Sequence, residues 1–89
     1  MIYRYYVGAN NETGEVETEK LLAIIKEYTP GATLIPCKGI WNGHQEDSII
    51  LEIAEGIEFK SDELAEALRV GLNQQSVGLV VNYNVMNFI

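Results

Sequence analysis

The chain has 89 residues, enough for one small domain (1–89) that buries roughly 60–65% of its unfolded surface. At 47% hydrophobic and 21% charged it is a folding sequence and not a disordered one. Thirteen acids against six bases give a net charge of −7, which argues against direct binding to nucleic acid, since that contact depends on Lys and Arg displacing counterions. An acidic surface suits a basic protein partner or mimicry of a nucleic acid, and it also serves plain solubility.

The first predicted element is a strand over 2–9. Tyr3, Tyr5 and Val7 alternate with Ile2, Arg4 and Tyr6, so both sides carry apolar groups, as in a central or interface strand. Residues 8–14 (GANNETG) form a polar, turn-rich loop. Leu21, Leu22, Ile24, Ile25 and Tyr28 then follow helical spacing, and Glu15, Glu17 and Glu19 suit the positive end of a helix, so a helix is expected over 16–28. Pro30 and Gly31 stop it. A second strand runs over 32–41, with Pro36 arguing for a sheet edge or a bulge.

Asn42-Gly43 is a strong two-residue hairpin signal, because a type I′ turn needs positive φ at both positions. It sets Trp41 opposite His44 and opens a third strand over 45–54. On that strand Asp47, Ile49, Leu51 and Ile53 share one face, and Glu46, Ser48, Ile50 and Glu52 share the other. Ser61 is the expected N-cap of a second helix over 62–73, with Leu64, Ala65, Leu68 and Leu72 as its buried stripe. Val77, Leu79, Val81 and Tyr83 alternate as a fourth strand, and the tail 84–89 either extends it or starts a fifth.

The order β-α-β-β-α-β predicts an α+β, ferredoxin-like sandwich: an antiparallel four-stranded sheet with two helices on one face. Right-handed crossovers put the first and third strands in the middle. The other face is then bare. Ile2, Tyr6, Ile50 and Val80 are its apolar candidates, and Tyr6, Trp41, Ile50 and Val80 form the expected interface of a homo-oligomer.

The stretch Trp41–Leu51, W-N-G-H-Q-E-D-S-I-I-L, resembles the long hairpin of the CutA family, within the wider PII-like group of trimeric ferredoxin-like proteins. Trp41, Gly43, Glu46, Asp47 and Ser48 carry the likeness, and Ile40 stands where the family has a second aromatic. The resemblance implies a trimer with small-ligand sites, for a nucleotide or a metal, in clefts between subunits. Lys38 beside the hairpin, Arg4 and Lys60 are the bases available for an anionic ligand.

The candidate ligand-binding residues are therefore Lys38, Trp41, His44 and Glu46 on the hairpin, with Asn10 and Asn11 on the first loop. Each has a plainer role. His44 is the only histidine, and a lone histidine after a turn is more often a surface turn residue. Trp41 can stack on a ligand or simply anchor packing. Cys37 and His44 with Glu46 would supply metal-binding atoms, but C-x6-H is no zinc spacing, and a lone thiol more commonly packs as a small hydrophobe. Glu46 and Asp47 are adjacent on a strand and face opposite ways, so they make no catalytic pair. The loop from Gly8 to Gly14 lacks the Lys-Ser/Thr of a phosphate loop, and no cofactor motif is present. A non-enzymatic binding protein is the first expectation. The alternative is a small acidic inhibitor, of the phage anti-defence kind, that blocks a basic partner. One cysteine, no leader pattern and no apolar run near the ~18 residues of a membrane span lead to the expectation of a cytoplasmic protein.

Overall fold

A computed structural model of the chain describes residues 1–82. Their order is β1 (Ile2–Gly8), α1 (Thr18–Lys26), β2 (Thr33–Trp41), β3 (His44–Ala54), α2 (Ser61–Gly71) and β4 (Gly78–Asn82). The fold is α+β, with one four-stranded antiparallel sheet in the order β2-β3-β1-β4. Tyr83, assigned above to the fourth strand, and the 84–89 tail, expected to extend it or start a fifth, lie outside the described residues.

The hairpin forms as its turn chemistry requires. Asn42 has φ 51° and Gly43 φ 77°, and the register begins at Trp41↔His44. Pro36 sits on β2, an outer strand of the sheet, where a missing N–H donor is tolerated. Alternation then sorts the side chains. Tyr3, Tyr5 and Val7 of β1 and Ile49, Leu51 and Ile53 of β3 are buried on one face, against Leu21 and Ile25 of α1 and Leu64, Leu68 and Leu72 of α2. Each such side chain contributes roughly 1.5–3 kcal/mol by leaving water. Tyr5 is wholly buried, and its hydroxyl donates to the Ser61 carbonyl at 3.0 Å. Burial pushes that hydroxyl's pKa well above its ordinary value.

Both helices start and stop differently from the expectation. α1 begins at Thr18, so only Glu19 of the three acids lies in its first turn. Glu17 precedes the helix with ψ 77°, and its carboxylate turns to Lys20 and Asn10 instead of capping. Those two partners hold it below the usual carboxylate range, Lys20 first. The last turn tightens into bonds from Glu27 N to Ile24 O and Tyr28 N to Ile25 O, which ends the helix before Tyr28.

Ser61 is not the N-cap of α2. It is the first helical residue, Lys60 precedes it, and no side chain caps this end. The Ser61 carbonyl also accepts from the Tyr5 hydroxyl. The far end of α2 closes with the bonding pattern of a Schellman motif. Asn73 takes φ 53°, its N–H donates to Val70 O at 3.3 Å, and the Gln74 N–H donates to Arg69 O at 2.8 Å. Gly71 lets the two helices meet there: a Cβ on it would stand 2.6 Å from Ile24 Cδ1.

The opposite sheet face carries, in one row across the strands, Ile35, Ile50, Tyr6 and Gly78. Tyr6 and Ile35 are 45% and 40% exposed, and the Tyr6 side chain lies against Gly78. The next row is Thr33, Glu52, Arg4 and Val80, with Arg4 Nε donating to Glu52 at 2.7 Å. No helix among the described residues is long and apolar enough to cross a membrane.

Candidate functional site

The first loop and the hairpin meet at the end of the sheet where β1 finishes. A small cleft there, of about 110 Å³, is lined by Gly8, Ala9, Asn11, Trp41, Glu46 and the segment from Gln74 to Ser76. It brings together three of the sequence-predicted ligand residues: Trp41, Glu46 and Asn11. Register explains the first two. Trp41 faces His44 and Gly39 faces Glu46, so Trp41 and Glu46 are diagonal neighbours on the open face. Gly39 puts no side chain between them.

Asn10 is placed beside the cleft but is fully engaged in building the loop. Its Oδ1 accepts from Glu12 N at 2.8 Å, Thr13 N at 3.2 Å and Asn73 Nδ2 at 3.3 Å. Its Nδ2 donates to Glu17. One side chain thus ties the loop to the start of α1 and the end of α2, an Asx-type turn in a structural role. Asn11 is held by a backbone bond to Asn73 O at 3.4 Å.

Lys38 is not brought to this group. It lies opposite Asp47 in the register, on the face away from Trp41 and Glu46, and its ammonium is ion-paired with Asp47. His44 is exposed beside the turn, across from Trp41. Cys37 and His44 share a face, but Cys37 pairs with Ser48, four residues from His44 and roughly 13 Å along the strand. They do not converge on one ion. Among the described residues no group of three His, Cys, Asp or Glu stands close enough to hold a metal.

Two contributors escaped the sequence reading. Gln74 is 9% exposed, and its Nε2 donates to Ala9 O at 2.6 Å and Leu72 O at 3.3 Å, which fixes the exit of β1 against the end of α2. Gly8 is the other. A Cβ on it would lie 3.0 Å from Glu46 Oε1 and 3.2 Å from Gln74 Oε1. The signal was available, because an isolated glycine at the end of a strand marks a close approach.

A wider groove of about 420 Å³ shares Gly8, Glu46 and Ser76 with the cleft and continues over the open face past Gly39, Ser48, Ile50 and Tyr6. At the other end of the sheet, a cavity of about 490 Å³ lies among Tyr28, Phe59, Lys60 and several glutamates. No protein family, curated protein or solved structure matches this chain.

Proposed function

We propose that the chain is a small acidic, non-enzymatic binding protein of ferredoxin-like, CutA/PII-like architecture. It acts in the cytoplasm as a homo-oligomer, a trimer, with a small-ligand site at the hairpin end of the sheet where subunits meet. The β-α-β-β-α-β order with β1 and β3 in the centre supports the architecture. The observation that carries the assembly is the open sheet face. Ile35, Ile50, Tyr6 and Val80 lie on it together, and both helices pack their buried stripes on the other side. Monomers rarely expose contiguous apolar patches larger than a few hundred Å², and such patches commonly serve as interfaces. Trp41 is 61% exposed at the margin of the same face.

The test is light scattering on the wild type and on Ile50→Asp. The wild type is expected as a multimer at micromolar concentration, and the variant as a monomer, because a carboxylate in an apolar contact is costly to desolvate. A wild type at 9.9 kDa would refute the assembly.

A second reading, the acidic inhibitor of a basic protein, is favoured by the fate of the bases. Arg4, Lys20, Lys38 and Arg69, four of the six, are ion-paired within the chain. Little positive charge is left for a polyphosphate ligand, while the net −7 remains to attract a basic surface. Capture of a basic protein from host lysate, lost on adding salt and weakened by Gln at Glu17, Glu19, Glu63 and Glu66, supports this reading. Equal capture by the Gln variant counts against it.

A further inference from the structure

We infer that the cleft between the hairpin and the first loop receives a cationic head group, a guanidinium or ammonium carried on an apolar stem. The inference rests on the reading of a ligand site at the hairpin end of the sheet, and it names the ligand's chemistry.

Among the described residues, Glu46 is the only charged one lining the cleft. Its carboxylate is half-buried and has neither an ion-pair nor a hydrogen-bond partner among the described residues. Other acids of the sheet are satisfied: Glu52 by Arg4 and Asp47 by Lys38. Glu46 instead rests over bare backbone. The missing side chains of Gly8 and Gly39 leave the depression in which it lies, with Cβ positions 3.0 Å and 3.9 Å from its Oε1.

A second acceptor points to the same place. Gln74 commits its Nε2 to Ala9 O and Leu72 O, and its Oε1 comes within 3.2 Å of the Cβ position over Gly8. Two acceptor oxygens therefore lie within 3.2 Å of one point over Gly8, an arrangement that suits an N–H-rich cation. Trp41 is diagonal to Glu46 in the register and lines the same cleft, and an indole beside a carboxylate suits a cation.

Size and shape set the rest. At about 110 Å³ the cleft falls well below the roughly 300–1,000 Å³ of sites that enclose whole cofactors, so it takes a head group and not a nucleotide. The adjoining groove leads from Gly8 and Gly39 toward Ile50, so the stem meets apolar surface at the edge of the proposed interface. A free alkyl guanidine or amine and an arginine or lysine side chain of a polypeptide present this same chemistry.

Trp41 is the chain's single tryptophan, so its emission reports on the cleft directly. The full chain is titrated with agmatine, with a blocked arginine-centred pentapeptide, and with sodium phosphate at matched ionic strength. A saturable change is expected with the cations and none with phosphate. Glu46→Gln is expected to weaken it about ten- to hundredfold with unchanged circular dichroism, the loss of one charge-assisted contact. Gly8→Ala, whose methyl crowds both oxygens, is expected to weaken it as well. Tighter binding of agmatine than of the peptide assigns the site to free cations, and the reverse order assigns it to a basic polypeptide. No saturable change with either cation, or wild-type affinity in both variants, would overturn the inference. Light scattering on the same samples separates the two ideas: a monomer that still saturates with agmatine discards the assembly and keeps the cation site.

Discussion

Gly8→Ala separates the fold from the site. Gly8 ends β1, and its φ lies outside the positive range occupied by Gly14 and Gly43, so an alanine backbone is accepted there. Loss of glycine's freedom in the unfolded chain stabilises by about 0.4–1 kcal/mol. Against this, the new methyl would stand 3.0 Å from Glu46 Oε1 and 3.2 Å from Gln74 Oε1. Gln74 is pinned by its 2.6 Å bond to Ala9 O, whereas Glu46 has no partner among the described residues and can swing away. Forced repacking in a tight site costs about 1–3 kcal/mol, and an unpartnered side chain that can move toward water keeps the cost near the low end. The two effects nearly cancel, leaving stability within about 1 kcal/mol of wild type, a shift of roughly 4–8 °C at most in a domain of this size. The cleft changes far more, since the carboxylate leaves its seat. Thermal melting beside the Trp41 titration reads both. Wild-type agmatine affinity in a folded Gly8→Ala protein would refute the role given to this glycine, and a collapse of the melt would refute the claim that Glu46 yields cheaply.

Trp41→Ala is expected to weaken assembly while leaving secondary structure intact, because interface aromatics commonly cost ~2 kcal/mol or more on truncation. Sedimentation across a dilution series checks this, and wild-type assembly at every concentration counts against Trp41 as an anchor. Tyr5→Phe removes the bond from the tyrosine hydroxyl to the Ser61 carbonyl and is expected to cost about 0.5–1.5 kcal/mol in urea unfolding. An unchanged midpoint would mean that water takes over the carbonyl. Glu17 and Glu66 are both held below the ordinary carboxylate value of 4.5, chiefly by Lys20 and Arg69. Because their folded pKa values are depressed, their contribution is complete above that value and is lost as pH falls through the lowered ones. The Glu17→Gln, Glu66→Gln double variant should lose less stability than wild type on acidification, and parallel acid-unfolding curves would contradict this.

The hairpin was legible because its turn needs particular residues. Asn42 and Gly43 determine the register, and alternation from Trp41 and His44 then assigns the buried face through Ile49, Leu51 and Ile53. Pro36 likewise marked an edge because proline cannot donate. Helix ends were less legible: α2 starts at Ser61 with no side-chain cap, and the Ser61 carbonyl accepts from a tyrosine 56 residues away in sequence, a partner that no local signal reveals. Of the site, nearness along the hairpin grouped Lys38 with Trp41, although strand alternation already puts positions three apart on opposite faces. Gln74 stayed hidden for another reason. It lies 65 residues from Ala9, and only the closed end of α2 carries it to β1.

Native mass spectrometry of the gently purified full chain tests the proposed assembly most directly, because it reports stoichiometry and any retained small molecule together. A species at three times 9.9 kDa that dissociates on Ile50→Asp is expected. A single species at 9.9 kDa across micromolar concentrations would contradict it.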